Sequence, residues 1–427
     1  MKPLRRGVAA GLVALIALVA AFGAAEQSEA KKKKKQDVRL GIFDQAYYSA
    51  NPDTRAFWLD RTIQAGVRRV NVVAEWRNIA PQTPANPTDP ADPAYRFSQI
   101  DGAVRDAAAR GIQVFLTITR APDWAEGPDR HPGIEPGAWR PQPDLLAQFA
   151  TALATRYSGK YPDPANPGPP LPRVAYWGIW AEPNLGTNLY PQAVSGNGGV
   201  RAVGAEHFRA MVNAASRAIK AVNRSNKVIA NGTAPFGDHP FEPGAFRTPP
   251  LEFWRAFFCL ERVKELQPTK QCPGGKPRID AFAHNPLAGL AHFNPVFPNY
   301  GPHDTAVWPT DILVPDMYKL AQILRAAREH KLVKPAKGIE LWATELAWET
   351  DPPDPGGVSL QTQAAYITES LRLLSKQGVS EVYWVQIGDQ PYDPEFSGPA
   401  YLSGVQSGLF FEDGTPKPGL AAFRAGS

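Results

Sequence analysis

The feature that most constrains the fold of this chain is a regular alternation of short apolar runs and longer amphipathic segments from residue 38 onward. The apolar runs have the length and the β-branched and aromatic content of strands, and the segments between them carry apolar residues at helical spacing. The predicted strands are Val38–Phe43, Val67–Ala74, Ile112–Thr119, 173–180, Lys227–Ala230, Ile279–Ala283, Ile339–Thr344 and Glu381–Gln386. Strands that alternate with helices pair in parallel. We therefore predict an α/β protein in which residues 38–427 form one domain, a (β/α)8 TIM barrel.

The composition agrees with a large single domain. The chain has 427 residues, of which 43% are hydrophobic, and this is enough for the core of a barrel with inserted loops. Its 44 prolines and 36 glycines are spread along the chain rather than repeated. The proline-rich stretches 81–93 and 161–172 and the segment 286–315 are therefore predicted to be long loops on the face where the strands end.

Residues 1–30 are predicted to be a signal peptide. They begin with basic residues, continue with an apolar stretch of small residues at 7–22, and contain small residues suited to cleavage near 23–30. An uncleaved membrane anchor is the alternative, although the apolar stretch is short for a full span. Arg5 and Arg6 leave both the general secretory route and the twin-arginine route open. We expect a secreted or cell-surface protein with no membrane association beyond export.

A run of five lysines lies within the segment 31–37, which we predict to be a solvated tether. Residues 1–35 hold eight basic and two acidic side chains, a net charge of +6, whereas the whole chain carries +5. The part after residue 35 therefore carries a net charge of −1. A nearly neutral domain offers no basic surface for nucleic acid, so no nucleic-acid partner is expected.

The two cysteines, Cys259 and Cys272, are predicted to form one disulfide, because an exported chain with an even number of cysteines favours a bridge. The scattered histidines His284, His292 and His303 do not match a metal-ligand pattern, so no metal is expected. No glycine-rich phosphate loop follows a predicted strand, and we expect no cofactor.

Two predicted strands deliver a glutamate to the same face of the barrel. The fourth strand, within R-V-A-Y-W-G-I-W-A-E-P-N at 173–184, stops at a proline directly after Glu182. The seventh, within I-E-L-W-A-T-E-L-A-W-E-T at 339–350, carries Glu345 near its end. Barrel enzymes build their active sites at the carboxyl ends of their strands. Because a retaining glycosidase needs two carboxyl groups about 5–5.5 Å apart, the pair predicts glycoside hydrolysis by double displacement.

Further motifs follow the predicted strands in order. They are Trp76 with Ile79 and Pro81, A-P-D-W-A at 121–125, W-A-E-P-N at 180–184, His284, W-A-T-E-L-A-W at 342–348, Trp384 and G-L-F-F-E-D-G-T-P-K-P at 408–418. Taken together, they resemble the clan A glycoside hydrolases, particularly cellulase-like members similar to families 5 and 39. The resemblance covers residues 38–424. It implies that Glu182 is the general acid/base and Glu345 the nucleophile.

Two positions depart from the family pattern. The family usually has Asn directly before the acid/base glutamate, where its amide contacts the sugar 2-hydroxyl, and this chain has Ala181 there. The family also often has an Arg on the second strand that supports the nucleophile, and this chain has Asn71. Contacts to the 2-hydroxyl strengthen in the transition state. Either the substrate differs at C2, another residue such as Asn184 substitutes, or the activity is low.

Several residues near the strand ends are candidates for binding a sugar. Trp384 is predicted to be the platform in the cleavage subsite, since the C–H faces of sugars pack on aromatic rings. The candidate outer walls are Trp76, Trp124 and Trp348. His284 is expected to hydrogen-bond Glu345 or the substrate and to help set the pKa of the nucleophile. The alternatives are a core position for each tryptophan and a purely structural role for His284.

These observations predict an exported retaining glycoside hydrolase that cleaves O-glycosidic, β-linked bonds in a polysaccharide or glycoside. The expected partner is a carbohydrate substrate, and the expected state is a monomer. The alternative is a carbohydrate-binding barrel with weak or no catalysis, for which Ala181 and Asn71 are the evidence.

Overall fold

The computed structural model describes residues 38–426 apart from 197–198, 263–264, 271, 289–299 and 393–404. The predicted signal peptide and the lysine-rich tether therefore lie outside the described residues. Val38–Ser427 forms one compact unit. None of the helices in the described ranges combines the length and apolar character needed to cross a bilayer.

In the described part of the chain, eight parallel strands close into a barrel, which confirms the predicted (β/α)8 fold. The strands are β1 (Arg39–Phe43), β2 (Arg69–Glu75), β3 (Gln113–Thr119), β4 (Tyr176–Ile179), β5 (Lys227–Thr233), β6 (Ala281–His284), β7 (Glu340–Leu346) and β8 (Val379–Val385). Each strand pairs with its neighbours in the sequence, and β8 pairs with β1 to close the ring. All strand ends therefore meet at one rim, as the sequence pattern required.

Helices cover the outside of the barrel. They are α1 (Pro52–Gln64), α2 (Ser98–Ala109), α3 (Pro143–Arg156), α4 (Val203–Val222), α5 (Pro250–Phe257), α6 (Tyr318–Glu329), α7 (Leu360–Lys376) and α8 (Pro418–Ala425). The sequence pattern predicted a longer α5, running from Pro249 to Leu266. The helix ends at Phe257 because Cys259 adopts a left-handed backbone conformation with φ of 56°.

A short hairpin follows Cys259, and a disulfide joins the two ends of this segment. Leu260–Arg262 and Leu266–Pro268 pair as an antiparallel hairpin. Cys259 and Cys272 are joined by a disulfide in the structure, with their Cα atoms 5.5 Å apart.

The strands alternate between residues that face the helices and residues that face the barrel interior. The middle of the interior is aromatic, with Phe115, Trp342 and Tyr383 packed on one another at ring-centroid distances of 5.4 to 6.1 Å. Gly41 on β1 makes room for this layer, because a Cβ atom there would lie 2.4 Å from the Tyr383 ring. The barrel is therefore a packed core rather than a channel, and chemistry is confined to its ends.

Candidate active site

Glu182 lies in the turn that follows β4, and the turn itself holds it in place. Trp180 and Glu182 both have left-handed backbone conformations, with φ of 66° and 41°. Such conformations are costly for residues with side chains. Here they are held by backbone hydrogen bonds, from the Trp180 N–H to the Ile118 carbonyl at 2.7 Å and from the Glu182 N–H to the Gly232 carbonyl at 2.9 Å. The neighbouring strands β3 and β5 thus fix the position of this carboxylate.

Glu345 lies on β7 beside a break in strand register. The pairing of β7 with β8 shifts between Ala343 and Leu346. Thr344 hydrogen-bonds Asn285 at the barrel mouth, and the Asn285 side chain also lowers the pKa of Glu345. A bulge of this kind lets consecutive residues serve the same site, because it interrupts the strict alternation of faces.

The side-chain amide of Asn285 joins the two glutamates. Its Nδ2 atom donates to Glu182 Oε1 at 3.1 Å, and the same side chain lowers the pKa of Glu345. The Thr344 hydroxyl donates to Asn285 Oδ1 at 2.7 Å. The structure therefore brings the two sequence-predicted catalytic residues together around one amide.

The electrostatics of the pair follow from burial and mutual repulsion. Burial raises the pKa of Glu182 to about 6, against the opposing effect of the Asn285 hydrogen bond. Burial raises the pKa of Glu345 well above its usual range, and the negative charge of Glu182 raises it further. Among the described residues, no Lys or Arg contributes to either shift. Because the charge of each carboxylate disfavours ionisation of the other, the titrations of the two groups depend on each other.

Other polar residues at this rim were not found from the sequence. Burial raises the pKa of the Tyr48 hydroxyl, and the charges of Asp44, Glu75 and Glu345 raise it further, which places this tyrosine near all three carboxylates. Burial also raises the pKa of Asp44 to about 6, although backbone N–H groups hydrogen-bond it. Asp44 directly follows β1 and Glu75 ends β2. Their positions at strand ends were the signal that could have identified them.

Trp384, the predicted platform, lies on the opposite side of the barrel wall. On β8 the inward-facing residues are Tyr383 and Val385, so the residue between them faces the helices. Trp384 has no exposed surface, donates its indole N–H to the Ser407 carbonyl at 2.8 Å and packs near Phe423 of α8. The predicted platform role is therefore corrected to a core role. Val385 occupies the inward position instead.

Two of the predicted outer walls are also core residues. Trp348 is fully buried and donates its indole N–H to the Tyr300 carbonyl at 2.7 Å. Trp76 is fully buried and stacked on Phe149 at a centroid distance of 5.2 Å. Trp124 differs, since it packs edge-on against Trp76 but keeps part of its surface exposed. Of the three, Trp124 alone remains a candidate wall.

His284 faces the opposite side of the barrel wall from Asn285, because the two residues are adjacent on one strand. It therefore points away from Glu182 and Glu345. Its Nδ1 atom is 2.8 Å from the Thr233 hydroxyl, and its Nε2 atom donates to the Ile312 carbonyl at 2.9 Å. Burial lowers the pKa of His284 to about 4, so the ring is neutral at neutral pH. The expected hydrogen bond to Glu345 is absent among these contacts, and Asn285 is instead the side chain that lowers the pKa of Glu345. Successive strand residues face opposite sides, and the sequence interpretation chose the wrong neighbour.

The Asn184 side chain has a structural role, since it hydrogen-bonds the backbone of neighbouring loops. Its amide nitrogen donates to the carbonyls of Ala234, Phe236 and Thr248 at 3.1–3.2 Å, and its Oδ1 accepts from the Ala234 N–H at 2.8 Å. The side chain is completely buried. Its hydrogen-bonding capacity is used to join the loops that follow β4 and β5, so Asn184 does not replace the amide that Ala181 lacks.

Asn71 also has an internal partner. Its Oδ1 atom accepts a hydrogen bond from the Thr117 hydroxyl at 3.0 Å in the barrel interior. Asn71 therefore forms a neutral hydrogen bond between two strands and brings no positive charge to the barrel interior. Within the described ranges, no cluster of three or more His, Cys, Asp or Glu side chains could hold a metal ion.

No protein-family model matches this chain, and no curated protein sequence is significantly similar to it. Its structural neighbours are glycoside hydrolases of families 39 and 5, the families that the sequence motifs resemble. A family 39 glycoside hydrolase from the gut symbiont Bacteroides cellulosilyticus WH2 is 18% identical, with a TM-score of 0.54 over 92% of this chain and 64% of that one. A monomeric β-xylosidase from Caulobacter crescentus CB15 is 17% identical, with a TM-score of 0.53 over 91% of this chain and 67% of that one.

A third neighbour belongs to the other family. GH5_18 from Streptomyces cattleya, in complex with GlcNAc, is 15% identical, with a TM-score of 0.53 over 92% of this chain and 80% of that one. This chain spans about two-thirds of the length of the family 39 enzyme from Bacteroides cellulosilyticus and of the β-xylosidase from Caulobacter crescentus. At such identities the likeness establishes the barrel fold and leaves the reaction to be argued from the site.

Proposed function

We propose that this protein is a retaining glycosidase that hydrolyses O-glycosidic bonds by double displacement. Glu345 is the nucleophile and Glu182 the general acid/base. The observation that carries the proposal is that two buried carboxyl groups from strand ends lie beside Asn285, close enough for the charge of Glu182 to raise the pKa of Glu345. A retaining mechanism needs one ionised and one protonated carboxyl group facing the same glycosidic bond.

The reaction follows from that arrangement. A carboxylate oxygen of Glu345 attacks the anomeric carbon, the bond to the leaving oxygen breaks, and its electron pair takes the proton from Glu182. Glu182, now ionised, then removes a proton from water. The water oxygen attacks the anomeric carbon, and the electron pair of the ester bond returns to Glu345. The configuration at the anomeric carbon is retained because it is inverted twice.

The proposed substrate class is a β-linked glycoside or polysaccharide. The structural neighbours include β-xylosidases, a glucosidase and an exo-β-1,4-mannosidase, and these names supply the choice of test substrates. We also propose that the protein is exported, which the pattern of residues 1–30 and the disulfide support. A monomer is proposed because a neighbour of the same fold is monomeric.

The experiment is a screen of purified protein on aryl β-glycosides, followed by two alanine variants. Glu345→Ala should abolish turnover, and azide should restore cleavage of an activated substrate with an inverted product. Glu182→Ala should still form the covalent intermediate from an activated substrate but hydrolyse it slowly. Asp351→Ala, which alters an exposed loop acid, is the matched control. Azide rescue with inversion in Glu182→Ala instead would exchange the two roles.

A carbohydrate-binding barrel without catalysis is the second candidate. The observation that favours it is the raised pKa of Glu345, which has no cation beside it among the groups that shift it. A carboxyl group that stays protonated is a poor nucleophile. Sugar binding without turnover by the wild type at any pH from 4 to 8 would support this candidate.

A further inference from the structure

Asn285 was not identified as a functional residue from the sequence. Its side chain nevertheless influences both glutamates, since it donates a hydrogen bond to Glu182 and lowers the pKa of Glu345. We propose that Asn285 is the positioning residue of the pair, and that its amide supports negative charge on Glu345 and on Glu182 in turn as the reaction proceeds. This inference rests on the proposed function and assigns the regulation of charge at the same site.

The first argument is the direction in which the amide faces. The Thr344 hydroxyl donates to Asn285 Oδ1 at 2.7 Å, so the carbonyl end of the amide is occupied and the NH2 end faces the carboxyl groups. Nδ2 donates to Glu182 Oε1 at 3.1 Å, and the Asn285 side chain also favours the ionised form of Glu345. An amide nitrogen carries two hydrogens, so the same group has a donor to offer to each carboxyl group.

The second argument is steric. A Cβ atom on Gly232 would lie 2.1 Å from Asn285 Oδ1 and 2.3 Å from the Thr344 hydroxyl. The same Gly232 accepts the backbone hydrogen bond of Glu182 at 2.9 Å. Only glycine at this position lets β5 approach closely enough to pack against the Asn285 amide and to accept the backbone hydrogen bond of Glu182.

The third argument is charge. During glycosylation the negative charge moves from Glu345 to Glu182, and it returns during hydrolysis of the ester. A fixed cation beside one glutamate would favour the charge at that residue, and none contributes here. A neutral amide that donates to both residues favours the ionised form of each, so it does not oppose the transfer in either direction.

The test compares four variants, of which two are controls. Thr344→Val removes the hydroxyl that orients Asn285, and Thr344→Ser keeps it. Thr117→Val is the matched control, because the Thr117 hydroxyl donates to Asn71 at 3.0 Å in the same barrel without contacting the pair. Asn285→Ala removes the amide itself.

The expected result is a fall in kcat of about 10- to 100-fold for Asn285→Ala and Thr344→Val, the range for a hydrogen bond to a charged group. The acid limb of the pH profile of kcat/KM should move to higher pH, because the ionised carboxylate loses its donor. Thr344→Ser should restore both quantities, and Thr117→Val should leave the profile unmoved. Equal changes in Thr344→Val and Thr117→Val, or an unmoved acid limb in Asn285→Ala, would overturn the proposal.

A second measurement separates this inference from the proposed function. Carbon-13 NMR of glutamate-labelled protein follows both carboxyl groups without substrate, with assignments from Glu182→Gln and Glu345→Gln. Asn285→Ala should raise the pKa of both groups, and unchanged titrations would overturn the inference even in an active enzyme. If the wild type cleaves no glycoside, the proposed function fails while the titration still decides whether Asn285 holds the pair. Thr344→Val provides the same titration if Asn285→Ala does not fold.

Discussion

Two pairs of carboxylates, Glu340 with Glu381 at one end of the barrel and Glu182 with Glu345 at the other, have contrasting partners, and β7 carries one member of each pair. Glu340, where β7 begins, forms an ion pair with Arg39 and accepts hydrogen bonds from the Trp342 indole at 2.7 Å and the Ser380 hydroxyl at 3.0 Å. Burial alone would raise the pKa of Glu340, but these partners lower it overall. Five residues later, Glu345 has an amide and another carboxyl group as neighbours, and its pKa is raised.

The same contrast extends around the ring. Glu381 at the start of β8 forms ion pairs with Arg39 and Arg69 and accepts a hydrogen bond from the Tyr383 hydroxyl at 2.8 Å. At the other rim, Glu182 relies on Asn285. Glu340 and Glu381 at the bottom are matched by cations, which contribute to stability, whereas no Lys or Arg of the described chain contributes to the pKa shifts of Glu182 and Glu345 at the top. Unmatched, perturbed carboxyl groups at strand ends are a mark of function rather than of folding.

The largest expected difference between the two ends is in turnover. Glu345→Gln should lower kcat by at least about 10³-fold, since it removes the proposed nucleophile while preserving shape. Glu381→Gln should leave kcat per folded molecule within about twofold, because its contacts lie at the opposite end. Steady-state kinetics on an activated aryl glycoside measure both. Comparable losses in the two variants would contradict the division of roles.

The next effect is on stability at the bottom. Glu381→Gln leaves Arg39 and Arg69 without their shared carboxylate, and Glu381 has a side chain only 1% exposed. Breaking such a buried network by removing one partner should cost about 3–5 kcal/mol in the free energy of unfolding, measured by denaturant titration. Glu412→Gln, at an exposed position, should change it by less than about 0.5 kcal/mol. A loss no larger than that of the control would show that the ion pairs are not stabilising.

At the strand-end rim, replacing a carboxylate should increase the free energy of unfolding rather than decrease it. The folded-state pKa of Glu182 is about 6, raised from an ordinary value of 4.5. The folded protein therefore binds more protons than the unfolded chain, and stability falls as pH rises through this window. Glu182→Gln should raise the free energy of unfolding at pH 7 by about 2 kcal/mol. The gain should vanish below about pH 4, where both states are protonated, and a gain independent of pH would refute this origin.

The smallest effect should come from the opposite face of β8. Trp384→Phe removes a buried indole and its hydrogen bond to Ser407 but no group at the barrel mouth. It should cost about 1–2 kcal/mol of stability and leave KM within about twofold. Thermal unfolding and steady-state kinetics measure the two quantities. A tenfold rise in KM without loss of stability would restore Trp384 as a sugar platform.

The sequence by itself predicted the architecture and the two glutamates that meet at the strand-end rim. It was wrong about the loop 161–172, which precedes β4 and therefore lies at the rim where the strands begin. Alternating strand and helix patterns are local properties, so the barrel could be predicted from periodicity and from the turns that end each run. Because every strand of such a barrel ends at one rim, Glu182 and Glu345 could be expected to meet although they are far apart in the chain. The start of β8 was placed two residues late, and α5 was made too long because the turn at Cys259 has no strong sequence signal.

The tertiary structure decided which neighbour on each strand reaches the site. His284 and Asn285, or Trp384 and Val385, are adjacent in sequence, and a one-residue difference in register sends each to a different side of the barrel wall. The bulge in β7 and the left-handed turn after β4 depend on contacts with other strands. The pairing of Glu381 with Arg39 and Arg69, more than 300 positions away, likewise forms only when the ring closes. The charge balance that separates the functional end from the structural end is therefore a property of the closed barrel.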